Sequence, residues 1–367
     1  MEINIKDRII GDNHPVFIIA ELSANHLQKF DLAVDTIKAI KESGADAVKL
    51  QTYTPDTITI DCDNEYFRIK QGTIWDGKTF YQLYQEAYTP WEWQPKLKEI
   101  AEGLGLFCFS SPFDKTAVDF LEGMNVPAYK VASFEITDIP LIEYIASKGK
   151  PVIISTGIAT LSDIEEAVNA CKRMENEQIA LLKCISAYPA PLEEVNLRTI
   201  PNLKGAFKTV VGLSDHTLGI FVPIAAVALG ARIIEKHFIL DRKLGGPDSA
   251  FSLEPEEFKE MVKAVKEVEK ALGPACANNA GKEINYELSE KVKKSREFSR
   301  SLFVIKDVKA GELFTEENVK SIRPGNGLHP KYLKDILNKR AVCDIKKGTP
   351  MNWELACLCD TQTGGVK

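Results

Sequence analysis

Short β-branched runs alternate with amphipathic stretches from residue 16 to residue 272. The runs at 16–20, 47–51, 106–110, 128–132, 151–155, 180–185, 209–213 and 232–238 are largely apolar, as strands buried on both faces are. Between them, 32–43, 116–124, 141–147, 161–174 and 222–229 space apolar residues by three and four, the helical period. The last stretch, 256–272, sets Phe258, Met261, Val262, Val265 and Val268 on one face, with Pro255 suited to its first turn and Gly273 to its end. The pattern weakens after "SAYPAPLEE", where a short or irregular helix is expected. Eight βα units over about 250 residues predict an α/β fold, a closed (β/α)8 TIM barrel. An open doubly wound sheet is the alternative, but no glycine-rich phosphate loop follows the first strand.

Two segments depart from the alternation. The connection 52–93, rich in aromatics, is far too long for a simple crossover and is expected to form a wall or lid at the C-terminal face of the barrel. After Gly273 the chain turns polar. The expected organisation is a barrel domain over 1–275, a linker over 276–300 with one short helix, and a compact β-rich module over 301–360. The module holds an echo, "DVKAGELF" at Asp307 and "DIKKGTPM" at Asp344. Each places Gly four residues after Asp, at a corner that needs positive φ.

Composition narrows the class. Of 367 residues, 44% are hydrophobic and 27% charged, the balance of a globular protein, and the net charge of −6 argues against nucleic acid as a partner. The start, "MEINIKDR", is charged, and the longest apolar run, 221–231, is too short to cross a bilayer. No membrane association is expected. The eight cysteines show no framework spacing, which fits a reducing cytoplasm. Cys108 and Cys184 read as small hydrophobes, while Cys357 and Cys359 could begin a metal site but lack further ligands nearby.

The polar insertions in the strands then carry the chemistry. Lys49 and Gln51 share a face by period two, as do Ser214 and His216, and Glu235 and His237. Glu21, Ser111, Lys130, Ser133, Ser155 and Lys183 lie at the ends of five other runs. In "RIIEKHFIL", Lys236 has the opposite parity to Glu235 and His237 and is expected to point outward, to a helix or loop carboxylate. Any one such residue, taken alone, reads first as a rim group paired with a loop. A whole rim of them predicts a pocket for a polar ligand. His216 and His237 suit either a divalent cation held by neutral imidazoles or a pair of hydrogen-bonded structural histidines. Serines beside Lys49 and Lys130 suit an anion such as phosphate. A lysine at a strand end also suits a Schiff-base nucleophile, so a metal-free aldolase stands beside a metal-assisted synthase. A non-enzymatic binding surface on the C-terminal module is the third reading.

The segments "IAELSANH", "DAVKLQTY", "FSSPFD", "YKVASFE", "ISTG", "KCISAYPAP", "GLSDHTLG", "EKHFIL" and "GGPDSAFSLEPEEF" resemble, in order, the sialic acid synthase family. "SIRPGNGLHP" resembles that family's antifreeze-like (SAF) C-terminal module. Within the family, "KLQTYTPDTITID", "WDGKTFYQLYQEAYTPWEW" and "GPDSAFSLEP" look most like the synthases of pseudaminic acid, with the sialic and legionaminic acid branches as alternatives. The resemblance implies condensation of phosphoenolpyruvate with the open-chain aldehyde of an amino sugar, 2,4-diacetamido-2,4,6-trideoxy-altrose. It implies His216 and His237 as ligands of Mn2+ or Mg2+, and Lys49, Ser111, Lys130, Ser133, Ser155 and Ser214 as phosphoenolpyruvate contacts. Gln51, Tyr53, Glu135, Tyr188, Asp248 and Arg323 fall on the sugar's side, with Glu21 and Glu235 as the catalytic carboxylates. Arg323 would come from the partner in a domain-swapped homodimer.

Overall fold

The computed structural model describes residues 1–70, 72, 75–272 and 286–357. The chain divides into two compact units, Met1–Glu283 and Ile284–Lys367. Gly273, the expected boundary at 275, residues 276–285 of the expected linker, Cys359 and residues 358–360 of the expected module lie outside the described residues.

The first unit opens with an antiparallel hairpin of β1 (Glu2–Ile5) and β2 (Arg8–Gly11). Its period-two pattern buries Ile3, Ile5 and Ile10. The Asn4 N–H donates to Gln178 Oε1 just ahead of a barrel strand, which sets the hairpin at the N-terminal end of the barrel.

Eight parallel strands follow: β3 (Phe17–Glu21), β4 (Ala47–Thr52), β5 (Phe107–Pro112), β6 (Tyr129–Val131), β7 (Val152–Ser155), β8 (Ile179–Cys184), β9 (Val210–Asp215) and β10 (Ile233–His237). They close into a ring in which β10 pairs with both β9 and β3. All eight expected strands form, within one or two residues of their expected ends. Burial on both faces explains why they read as apolar runs.

The helices behind them are Phe30–Glu42, Gln94–Gly103, Lys115–Gly123, Ile139–Ala146, Leu161–Arg173, Thr199–Phe207, Phe221–Ala228 and Pro255–Ala271. Local chemistry starts them. Asp114 accepts from the N–H groups of Thr116 and Ala117, and Thr160 and Asp163 form a reciprocal capping box. Phe258, Met261, Val262 and Val265 of the last helix are buried, and Val268 packs against the core part-exposed. Two helices exceed the sequence pattern. Gln94–Gly103 was hidden behind the long connection, and Thr199–Phe207 is regular over nine residues despite a Pro in its first turn.

The long connection carries helices Pro55–Ile58 and Phe80–Ala87 and an isolated antiparallel bridge, Arg68↔Thr79. Residues 71, 73 and 74 of it are outside the described residues.

In the second unit, helix Glu290–Ser295 precedes β11 (Ser301–Val304), which pairs antiparallel with β12 (Val319–Ile322). Leu302, Val304, Val308, Phe314, Val319, Ile336, Ile345 and Met351 form its core. The echo is structural. Val308 bridges Ile345, Asp307 accepts from the Lys347 N–H at 2.9 Å, and Asp344 accepts from the Ala310 N–H at 2.9 Å. Gly311 and Gly348 take φ of 79° and 90°, the conformation the repeated corner requires. No helix among the described residues is long and apolar enough to cross a membrane.

Candidate active site

Closure of the barrel brings the polar strand ends into one network. Lys49 on β4 is ion-paired with Glu21 on β3, and its Nζ lies 2.9 Å from Glu235 Oε1 on β10. Lys130 on β6 faces the same carboxylate at 3.8 Å and donates to Ser155 Oγ at 2.6 Å. Ser214 Oγ donates to Glu235 Oε1 at 2.9 Å. Gln51 Nε2 donates to Glu21 Oε1 at 3.3 Å and to Ser23 Oγ at 3.0 Å. Glu21, Lys49, Lys130 and Glu235 are each less than 5% exposed. Two cations thus face two anions inside a low-dielectric wall, where each charge is strongly felt.

The electrostatic consequences are specific. Burial alone would raise the Glu235 carboxyl. The Lys130 and Lys49 ammoniums, with hydrogen bonds from Lys49 and Ser214, outweigh it and hold the group well below the usual carboxylate range. Burial pulls Lys49 down to about 8, against the attraction of Glu235 and with the help of Lys130. Burial pushes the Glu135 carboxyl up to about 7 despite the Lys130 ammonium.

An arc of hydroxyls stands beside the ammoniums. Ser133 Oγ accepts from Ser186 Oγ at 2.8 Å and from the Ile158 N–H at 3.1 Å. A Cβ at Gly157 would lie 2.6 Å from Ser133 Oγ and 2.2 Å from Ser186 Oγ, so glycine makes room for this pair. Among the described residues, the buried atoms Ser111 Oγ, Glu235 Oε2, Glu135 Oε2 and His237 Nδ1 have no hydrogen-bond partner. Orphaned buried polar atoms cost about 1–3 kcal/mol each, so a cluster of them marks a ligand site.

His216 and His237 stand side by side with ring centroids 5.3 Å apart, and Phe251 packs edge-on against both. His216 Nδ1 lies 2.9 Å from the Ile185 carbonyl, so this nitrogen carries the proton and Nε2 keeps its lone pair. Burial first, then the neighbouring His216 ring and the ammoniums of Lys49, Lys236 and Lys130, hold His237 well below its usual value, hence neutral. Asp248 Oδ2 accepts from Ser23 Oγ and lies 3.8 Å from His237 Nδ1. Among the described residues no three His, Cys, Asp or Glu side chains group as metal ligands. The His237 imidazole, held neutral, and the Nε2 of His216, whose Nδ1 faces the Ile185 carbonyl, nevertheless fit a divalent cation whose other positions would be filled by ligand oxygens.

The Tyr188 ring is tilted against His216 with centroids 4.5 Å apart and meets Phe251 at 5.2 Å, while Trp75 from the long connection tilts against Tyr188 at 5.6 Å. Trp75 Nε1 also donates to the Pro247 carbonyl, which puts this part of the connection against the loop after β10. Tyr53 is buried edge-on between Tyr84 and Phe113. Glu135 ends a single turn, Ser133–Glu135, just past β6. Arg323 follows β12 in the second unit and is exposed.

Three expectations are corrected. Lys183 does not join the network. It has the parity opposite to Cys184 and is the one part-exposed residue of β8. Cys184 is no simple hydrophobe, since its sulfur sits 3.8 Å from His216 Nδ1. Lys236 does point outward to a carboxylate, but Asp215 belongs to the neighbouring strand rather than to a helix or loop. No pattern along the chain marks Ser23, Cys184, Ser186 or Phe251 as site residues. Only "SANH", "KCISAYPAP" and "GGPDSAFSLEPEEF", read as whole motifs, place them near it.

A charged mouth with unpartnered polar atoms on a closed (β/α)8 barrel defines a barrel protein with a site for a polar ligand. Residues 36–277 match the NeuB family and residues 299–355 match the SAF domain. The pseudaminic acid synthase of Campylobacter jejuni subsp. jejuni serotype O:2 is 50% identical over 333 residues, 91% of this chain and 94% of that one. The N,N'-diacetyllegionaminic acid synthase of Legionella pneumophila subsp. pneumophila is 35% identical over 348 residues, 94% of this chain and 95% of that one. A crystal structure of N-acetylneuraminic acid (sialic acid) synthetase from Leptospira borgpetersenii serovar Hardjo-bovis, in complex with citrate, superposes with a TM-score of 0.71. It is 32% identical and covers 81% of this chain and 96% of that one. The chain belongs to the NeuB family, the sialic acid synthases.

Proposed function

We propose that this enzyme condenses phosphoenolpyruvate with the open-chain aldehyde of 2,4-diacetamido-2,4,6-trideoxy-altrose, giving pseudaminic acid and phosphate. The observation that carries the sugar is the gap between 50% identity to a pseudaminic acid synthase and 35% to a legionaminic one, each over more than nine-tenths of the chain. The reaction class is supported by two buried ammoniums and an arc of serines beside two carboxylates. Lys49 and Lys130, with Ser111, Ser133, Ser155 and Ser214, hold the phosphate and carboxylate of phosphoenolpyruvate. Gln51, Tyr53, Glu135, Tyr188 and Asp248 line the sugar's side.

His216 and His237 would hold a divalent cation such as Mn2+ or Mg2+, and the chemistry it would supply there is Lewis-acid polarisation of the aldehyde. Carbon 3 of the enol then attacks the aldehyde carbon, and positive character develops at carbon 2. Glu235, kept ionised by two ammoniums, steadies that charge. Water adds at carbon 2, with Glu21 or Glu235 taking its proton, and the tetrahedral intermediate expels phosphate by C–O cleavage.

The working unit in this reading is a domain-swapped homodimer in which Arg323 reaches the sugar bound to the partner. Phe134, Ile158, Leu161, Leu192, Leu218 and Phe221 support it. They are large, exposed and set in loops and helix starts that follow β6 to β9, on the face around the mouth.

The test incubates the protein with phosphoenolpyruvate, Mn2+ and a panel of N-acetylated amino sugars, with phosphate release and product mass as readouts. The altrose derivative should give the nine-carbon acid. Faster turnover of the legionaminic or sialic precursor would sink the sugar assignment, and no phosphate release with any aldehyde would sink the reaction.

A further inference from the structure

Behind the two histidines lies an ion pair that the reaction does not use. Lys236 is wholly buried, Asp215 is 2% exposed, and the two lie directly opposite each other in the β9–β10 register. Lys236 Nζ donates to Asp215 Oδ2 at 2.5 Å and to the Thr217 carbonyl at 2.5 Å. Asp215 Oδ1 accepts from the Thr217 N–H at 3.0 Å and from its hydroxyl at 2.8 Å. His216 is therefore held between two residues that both bind Lys236, and His237 is the next residue after that lysine. Stability alone does not account for such a pair, because burying two charges costs about as much as their attraction returns, and apolar side chains of similar volume often serve as well.

We infer that Lys236 and Asp215 are positioning residues, which fix the ends of β9 and β10 and thereby set the spacing of the His216 and His237 imidazoles. The cross-link acts on the outward face while the histidines act on the inward one, the division that period two imposes. Partners of this kind, one step removed from a metal ligand, change metal affinity by roughly 10–100-fold when lost.

The inference rests on the proposed role of the histidines in holding a divalent cation, and the test separates the two. Mn2+ is titrated into the substrate-free protein, with free Mn2+ followed by electron paramagnetic resonance and unfolding by circular dichroism. The variants are His237→Ala, Asp215→Asn, Lys236→Met and the apolar pair Asp215→Leu/Lys236→Met. The wild type should bind Mn2+ and His237→Ala should not. Lys236→Met should lose stability, whereas the apolar pair should recover most of it and still bind Mn2+ at least tenfold more weakly than the wild type. The near-isosteric Asp215→Asn should weaken binding in the same direction. Wild-type affinity in a folded apolar pair or in Asp215→Asn would overturn the inference alone. Mn2+ binding that is absent from the wild type, or undiminished by His237→Ala, would sink the histidine reading and this inference with it.

Discussion

Lys49 is the residue on which the charge balance of the mouth turns. It touches both carboxylates, and burial leaves its ammonium with a pKa of about 8. The sign is direct: below about 8 the group is a cation that attracts an anion, and above it the group is a neutral amine that does not. The value of kcat/KM for phosphoenolpyruvate, which reports the free enzyme, should therefore fall as pH rises through about 8. A flat profile from pH 7 to 9.5 would show that Lys49 does not serve as the anion's counter-charge. Glu235→Gln removes the acid shared by Lys49, Lys130 and Ser214. Turnover should drop about a hundredfold or more in steady-state assays, with a smaller change in KM. Period two placed Glu235, His237, Lys49 and Gln51 correctly because inward and outward side chains must alternate. Lys183 was named only for lying at the end of its run, without that rule, and its parity, opposite to Cys184, keeps it out of the network.

At the scale of elements, the closeness of strand to strand decides what a side chain can do. A Cβ at Gly212 on β9 would lie 2.4 Å from the Ile233 carbonyl and 2.6 Å from Leu182 Cδ2. Gly212→Ala should destabilise the barrel by roughly 1–3 kcal/mol, read from chemical denaturation, since a neighbouring strand's backbone cannot step aside. Gly157→Ala differs in kind. Its contacts are the ends of Ser133 and Ser186, which can rotate, so the fold should survive while KM for phosphoenolpyruvate rises several-fold. Unchanged kinetics in Gly157→Ala would remove this serine pair from the binding site. Neither glycine stands out along the chain, because crowding of this kind comes from other strands. The hairpin of β1 and β2 was not read from the sequence, where "MEINIKDR" counted only as a charged start, because a four-residue alternation is too short to stand out.

For the whole molecule, the proposed swapped dimer makes a prediction that no single chain can. Arg323→Ala and His237→Ala proteins should each be nearly inactive. Mixed after partial unfolding and refolding together, they should recover up to about a quarter of wild-type activity through heterodimers in which one mouth has both residues. No recovery in a mixture shown to contain heterodimers would mean that Arg323 acts within its own chain or has no part in the reaction.

What the sequence determined by itself was the order of the strands and most helices, the shared face of Lys49 with Gln51 and of Glu235 with His237, and the motifs that mark the family. These are local properties, set by a period of two or 3.6 and by caps and turns within a few residues. Tertiary structure alone decided which polar ends meet. Glu21 and Glu235 share Lys49 because β10 closes the ring against β3. Asp248 reaches His237 because the loop after β10 folds back over the mouth, and Ser23 meets it there from the other side of the seam. Ring closure joins residues as far apart as Ser23 and Asp248, 225 positions along the chain, and no period along the chain encodes that distance.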